Sequence, residues 1–357
     1  MNPRRATVAG TGLIGGSIGM ALRRQGWHVT GFDGDPTRAR RALELGALDE
    51  VGLDPSAEIA FVATPVRAVA AVARDVLARV DGDTVVTDVG SVKGPVVATV
   101  DHPRFVGGHP MAGSEQDGVQ GADPDLFSGA VWVLTPTPGT DDVAFARTRS
   151  VVSSLGAEVL ALEPAHHDLL VAVVSHVPHL AAATLMGLAD QRAHEHRALL
   201  RLAAGGFRDM TRIAAGNPGI WLDICAENRA AILAVLDDLL DALGAMRQVV
   251  AGDDRQGLLA VLERARAARV NLPARAVVPA ELVELRIPVP DRPGVLADIT
   301  TLAGQLAVNI ADFEIAHSPE GDRGVIIVLV EAADAERYRA GLAERGYRSA
   351  AQPLEQA

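Results

Sequence analysis

The chain is poor in several things that would each mark a class of protein. It has one cysteine, Cys225, in 357 residues. It therefore forms no intrachain disulfide and no cysteine zinc cluster, and a reducing, cytoplasmic setting is expected. Aromatic residues make up only 3%, so Ala, Val, Leu and Ile must build the core. Basic residues number 33 against 45 acidic ones, for a net charge of −12. That balance disfavours nucleic acid or an anionic membrane surface as a principal partner. It leaves a small anionic substrate admissible, because a local cationic pocket can oppose the global field. No internal repeat and no low-complexity run is present. What the chain does have is 48% hydrophobic and 22% charged residues, the balance of a globular protein, and length enough for two or three domains.

Two stretches imitate targeting or membrane segments. Arg4-Arg5 precedes an apolar run, but Gly10, Gly12, Gly15, Gly16 and Gly19 interrupt it, Arg23-Arg24 follows, and no cleavage site appears. Residues 169–189 carry no charge and are long enough to span a bilayer. Ser175, His176, Pro178, His179 and Thr184 break that stretch, which suits a buried helix or helix pair near a site.

Three patterns succeed one another along the chain. Over residues 6–162, short Val/Ile-rich runs at 7–9, 29–33, 59–63, 84–88, 105–107, 131–135 and 158–161 alternate with amphipathic runs at 14–24, 36–45, 66–79, 92–99 and 142–155. Strand–helix alternation predicts a mostly parallel, doubly wound sheet. From 165 to about 272 the pattern is helix after helix. In 229–246, Ile232, Leu233, Leu236, Leu239, Leu240 and Leu243 recur at helical spacing. One copy cannot bury such a face alone, and two copies interlocking as a homodimer would. Residues 271–280 read as a linker. Runs at 282–289, 294–306, 308–316, 324–331, 333–345 and 347–352 then spell βαββαβ, a small α+β domain. The expected divisions are 1–164, 165–272, 273–280 and 281–357.

Gly10-Thr11-Gly12-Leu13-Ile14-Gly15 lies between the first strand and first helix. The first glycine permits the tight turn, the second lets backbone approach a pyrophosphate, and the third packs helix on strand. The helix N-terminus offers free N–H groups to phosphate. Asp33 ends the second strand, about 20 residues on, where an acid bonds ribose hydroxyls and repels a 2′-phosphate. Asp35-Pro36 is the better helix cap, which leaves Asp33 to the cofactor. The reading is a Rossmann domain binding NAD.

Gly90-Ser91-Val92-Lys93 and Gly107-Gly108-His109-Pro110 each follow a strand, at the carboxyl ends where open parallel sheets bind ligands. His109, held by glycines before a proline, is a candidate general base. Lys93 is the only lysine in the chain; it either survives a bias toward arginine or works near the cofactor. In the helical segment, His166-His167-Asp168 precedes Ser175-His176-Val177-Pro178-His179. His176 and His179 are one helical turn apart, but no carboxylate matches a metal set, and a polar pocket wall is the better reading. Arg208, Asp209 and Arg212 are spaced to share a helix face, with the aspartate steadying a carboxylate clamp.

These motifs, with G-F-R-D-M-T-R-I-A at 206–214 and W-L-D-I-C-A-E-N at 221–228, resemble the bacterial prephenate/arogenate dehydrogenase family in order and spacing. The stretch L-R-I-P-V-P-D-R-P-G-V-L-A near 290 resembles an ACT domain. The first resemblance implies NAD-dependent oxidative decarboxylation of prephenate in tyrosine biosynthesis. His109 would be the base for the C4 hydroxyl, with Ser91 bonding that hydroxyl or His109. Arg212 would clamp a substrate carboxylate, and His179 and His167 would contact substrate or order the pocket. Arg208 stands where many relatives carry lysine. Gly10, Gly12, Leu13, Ile14, Gly15 and Asp33 would hold NAD. The second resemblance implies tyrosine as effector, at Asp291, Gly294 and Asn309, or a domain that only dimerises. Arogenate is the alternative substrate, and the acidic pair Glu115 and Asp117 would favour its ammonium group. Two rivals remain. A β-hydroxyacid dehydrogenase would use a lysine in the helical segment, where this chain has none. A non-catalytic NAD/amino-acid sensor would have no need of a base.

Overall fold

In the first third of the chain nearly every short β-branched run becomes a strand with most of its residues buried, as parallel strands covered on both faces require. The computed structural model describes residues 3–114, 116–196, 198–272, 282–290, 292–317 and 323–353. The chain divides into two compact units, Met1–Leu258 and Leu259–Ala357. The expected linker at 273–280 lies outside the described residues.

The first unit begins with β1 (Arg5–Ala9), α1 (Leu13–Arg24), β2 (His28–Phe32), α2 (Pro36–Glu44), β3 (Glu50–Val51), β4 (Ile59–Val62), α3 (Val66–Arg79), β5 (Val85–Asp88) and α4 (Gly94–Val100). It continues with β6 (Phe105–Pro110), β7 (Val131–Thr135), α5 (Asp142–Ser154) and β8 (Glu158–Ala161). The strands form one sheet in the order β3-β2-β1-β4-β5-β6-β7-β8. All neighbours are parallel except β6 and β7. Strand order reverses between β1 and β4, so the loops after these strands open a crevice there. One apolar cluster, with Ile18, Leu22, Phe61 and Trp132, covers one face; another, with Val62, Val69, Val76 and Phe105, covers the other. Two elements differ from expectation. The two-residue β3 is too short to leave a periodic signal. Helix α4 starts at Gly94, not at residue 92, because Val92 and Lys93 are buried in the preceding turn.

A helical segment follows: α6 (Pro164–Val171), a π-helical turn (Ala172–His176), α7 (Val177–Glu195), α8 (Gly205–Thr211), a 3-10 turn (Arg212–Ala215), α9 (Pro218–Glu227) and α10 (Arg229–Ala251). Helix α11 (Arg255–Val270) crosses the division between the units. The core proper to this segment is small, with Ala172, Val177, Ile224 and Ile232 buried. Val174, Leu188, Leu222, Leu240 and Leu243 are more than half exposed. Among the described residues one helical run, Pro164–Ala193, is long and apolar enough to cross a membrane by length and composition. That run also carries four polar groups of the site below.

In the second unit, β9 (Leu282–Pro290), α12 (Val295–Gln305), β10 (Ile310–His317), β11 (Arg323–Glu331), α13 (Ala332–Glu344) and β12 (Ala350–Pro353) follow the expected βαββαβ order. The four strands pair antiparallel as β10-β11-β9-β12. Leu285, Ile287, Ile299, Val328, Tyr338 and Leu342 fill its core, and the Tyr338 hydroxyl donates to the Ile299 carbonyl at 2.9 Å. The last strand begins at 350, later than expected, because 345–349 continue the turn out of α13.

Candidate active site

The β1–α1 turn is built as the glycine pattern predicts, each glycine for its own reason. Gly10 has φ +95°, and a Cβ there would lie 2.3 Å from the Ala63 carbonyl oxygen, so the turn presses against the loop after β4. A Cβ at Gly15 would lie 1.9 Å from the Gly10 oxygen. At Gly12, the residue before α1, a Cβ would meet nothing within 4 Å. Protein packing therefore does not demand glycine at 12, and the open space suits a ligand lying close over the backbone. The Thr64 hydroxyl, in the loop after β4, is buried with no hydrogen-bond partner. An open cradle, an orphaned hydroxyl and the free N–H groups at the start of α1 fit a dinucleotide. Leu13 and Ile14 open α1 at this end of the sheet.

Asp33 is half-buried and is not free as expected. Its carboxylate accepts from the Thr11 N–H at 2.8 Å and the Asp35 N–H at 3.0 Å. Asp35 does cap α2, accepting from the Thr37 N–H. A carboxylate has about four lone-pair sites, so Asp33 both fixes the glycine turn and retains acceptor capacity for a ribose.

Beyond the ends of β5 and β6 a chain of contacts runs through the sheet edge into α6. His109 Nδ1 lies 2.9 Å from His167 Nε2, and His167 Nδ1 lies 2.8 Å from Asp168 Oδ1. The carboxylate can only accept, so His167 Nδ1 donates to it. His167 Nε2 then accepts from His109 Nδ1–H, and the lone pair of His109 is left on Nε2. His167 is fully buried with both ring nitrogens engaged. Burial holds His109 well below the usual histidine range, and the His167, Lys93 and His176 charges press the same way. A neutral imidazole with a free Nε2 is a proton acceptor near pH 7. Asp168 also accepts from the Lys93 and Gly94 N–H groups, both at 2.8 Å. The Ser91 hydroxyl, in the β5–α4 turn, makes no hydrogen bond among the described residues, including none to His109.

On the helical side, Asn228 ends α9 and donates to the Asp168 carbonyl at 2.8 Å, with its amide 3.1 Å from His176 Nδ1. Burial lowers His176 to about 4. His179 stacks on Trp221, with ring centroids 3.6 Å apart, and His176 meets the same indole edge-on at 6.0 Å. The pair thus faces one aromatic platform. Helix α8 ends at Thr211, and Arg212 begins the 3-10 turn. Arg208 thus lies in α8 and Arg212 in the turn that continues it. Arg208 bonds the Ala203 carbonyl, and Asp209 makes no ion pair with a described residue. The 212–215 turn packs on α7, and a Cβ at Gly216 would lie 3.7 Å from the His179 ring. Asp117 lies 3.5 Å from the Asn217 amide. Glu115 and Asp291 lie outside the described residues. Gly294 is the left-handed residue before α12 and Asn309 precedes β10, both exposed. Asp168, Asn228 and Trp221 stand within the quoted motifs, yet spacing alone assigned them no role. Apart from the adjacent His167–Asp168 contact, their partners named above are 42 to 75 residues away in sequence.

A family model described as the nucleotide-binding domain of prephenate dehydrogenase matches residues 18–161, and one described as its dimerization domain matches 163–264. The chain is 33% identical to the prephenate dehydrogenase of Bacillus subtilis (strain 168), over 95% of this chain and 96% of that one. The structure of prephenate dehydrogenase from A. aeolicus, in complex with hydroxyphenyl propionate and NAD+, is 30% identical with a TM-score of 0.72, covering 76% of this chain and 99% of that one. Synechocystis arogenate dehydrogenase is 32% identical with a TM-score of 0.66, covering 74% and 99%.

Proposed function

The chain belongs to the prephenate dehydrogenase family, and we propose that it converts prephenate to 4-hydroxyphenylpyruvate by NAD-dependent oxidative decarboxylation. The observation that carries this reading is the His109–His167–Asp168 chain at the carboxyl ends of β5 and β6, in the same sheet as the glycine cradle. When bound, NAD+ supplies the hydride acceptor. His109 Nε2 takes the proton of the C4 hydroxyl. His167 and Asp168 fix the ring orientation and stabilise the imidazolium that forms. Ser91 offers its hydroxyl to the same substrate oxygen. As C4 becomes a carbonyl carbon, the C1 carboxylate leaves as CO2, and aromatisation makes the step downhill. Arg212 clamps a carboxylate of the dianionic substrate. His179, held flat by Trp221, forms a pocket wall.

The assay is NADH formation from prephenate and, separately, from arogenate, with NAD+ and with NADP+. No turnover of either substrate would end the reading. Arogenate is the second substrate because an arogenate dehydrogenase is similar over 74% of the chain. The exposed leucines of α9 and α10 support a homodimer through the helical segment. The second unit is read as an ACT-like regulatory domain that binds tyrosine near Gly294 and Asn309. Tyrosine added to the same assay tests it, and unchanged rates at saturating tyrosine leave that unit a purely structural part.

A further inference from the structure

Strand β6 has a supply problem on its inner side. Its parallel pairing with β5 ends at Val106, opposite Thr87. The N–H and C=O of Gly108 therefore face that side with no strand to pair with, next to His109. Two side chains stand in for the missing strand. Asp88 Oδ1 accepts the Gly108 N–H at 3.0 Å, and the Lys93 ammonium donates to the Gly108 carbonyl at 2.8 Å. Lys93 also donates to Asp88 Oδ2, which accepts the Gly90 N–H as well. Both charged side chains are fully buried.

The contacts close a ring. From the Lys93 ammonium it runs to the Gly108 carbonyl, along the peptide to His109, to His167, to Asp168, and back to the Lys93 N–H. The lysine is closely enclosed: a Cβ at Gly107 or Gly90 would stand in ordinary contact, 3.5 Å, with the Lys93 Cδ or Nζ. A compact ammonium fits there, and a planar guanidinium with five donors has no matching acceptors. This is the chain's single lysine among 33 basic residues, at a place where arginine cannot substitute.

We infer that Lys93 is a positioning residue of the reaction: its buried ammonium clamps the strand that bears His109 to the turn that bears Ser91, in a geometry that only lysine supplies. This rests on the function proposed above. The charge has a second effect. The groups that face His109 are Asp88 from the end of β5, Lys93 from the β5–α4 turn, His167 and Asp168 from α6, and His176 from the π-helical turn; β7 presents Val133 opposite it. Of these, Lys93, His167 and His176 disfavour protonation of His109.

The test compares wild type, Lys93→Arg, Lys93→Met and the paired neutral variant Lys93→Met/Asp88→Asn, measuring kcat, both KM values, NAD+ binding and the pH profile. Lys93→Arg should lower kcat by about 10²-fold, the cost of a displaced catalytic group. Its NAD+ affinity should stay within about threefold of wild type, because the glycine cradle is untouched. In Lys93→Met the acid limb of kcat/KM should move up by about one unit, as a positive neighbour of the base is lost. If that variant does not fold, the paired variant, which leaves no unpaired buried carboxylate, reads the clamp itself as a kcat loss of about 10²-fold with NAD+ affinity retained. A wild type that turns over prephenate alongside a fully active Lys93→Arg would overturn the inference, as would an acid limb that stays in place in a folded Lys93→Met or full activity in the paired variant. A wild type with no turnover would instead defeat the functional reading.

Discussion

At the scale of single residues the site is an argument about which nitrogen is free. Asp168 fixes the tautomer of His167, His167 fixes that of His109, and Nε2 of His109 is what remains. His109→Asn should lower kcat by about 10²–10⁴-fold while NAD+ still binds; an unchanged kcat removes His109 as the base. Asp168→Asn should act through its neighbours. An asparagine keeps one accepting oxygen, and its NH2 only donates, so it cannot accept from the Gly94 N–H on one side and from the Lys93 N–H and His167 on the other. A kcat loss of about 10²-fold or more is expected, with KM for NAD+ little altered. Full activity in that variant would show that the relay is ornamental. His109 was legible in the sequence because glycines and a proline frame it in a strand-end motif. Lys93 stood out only by its rarity, and Asp168 not at all, since its four partners come from residues 93, 94, 167 and 228.

At the scale of elements, the β1–α1 turn separates folding from binding. Gly12→Ala should leave the melting temperature nearly unchanged, within about 1 kcal/mol of stability, because its Cβ enters empty space. The same change should weaken NAD+ binding about tenfold or more, as the backbone loses its close approach to the pyrophosphate. Gly15→Ala places a Cβ against the Gly10 oxygen and should destabilise the fold itself. Calorimetry alongside NAD+ titration separates the two; equal melting losses for both variants would contradict this account. Most strands and helices were readable from periodicity, because buried parallel strands are unbroken apolar runs. The end of α8 was not. Arg208 and Arg212 are spaced for one helix face, but the chain tightens into a 3-10 turn at Arg212, a change that no side-chain pattern announces.

At the scale of the whole molecule, two properties follow from what is buried and what is left exposed. His176 is about 1% exposed and lowered to about 4, and burial lowers His102, His109 and His179 in the same direction. Below about pH 6.5 the unfolded chain takes up protons that the folded chain refuses, so stability is full above that pH and falls as pH drops toward the folded values. His176 alone should cost about 2 kcal/mol between pH 7 and pH 5. Denaturant midpoints at the two pH values check this, and equal midpoints would refute it. The second property is association. Leu222, Leu240 and Leu243 are between 57% and 75% exposed, and the proposed homodimer would cover them. Sedimentation should give twice the chain mass of 37.2 kDa, and Leu240→Asp should reduce it. A monomer at micromolar concentration would require another cover for that face.

By itself the sequence determined the class of this protein. Local periodicity sets strands and helices, the glycines at 10, 12 and 15 mark a strand-to-helix turn with backbone open to a ligand, and one cysteine excludes a disulfide framework. These are consequences of backbone sterics and hydrophobic patterning, which act within a few residues. Only the tertiary structure decided which side chains work together. It engaged Asp33 in the glycine turn, left Ser91 without a bond to His109, one of its two expected partners, and closed the ring through Lys93, His109, His167 and Asp168. The reason is physical: hydrogen bonds and buried charges depend on distances of about 3 Å between groups that the chain brings together from separate strands and helices.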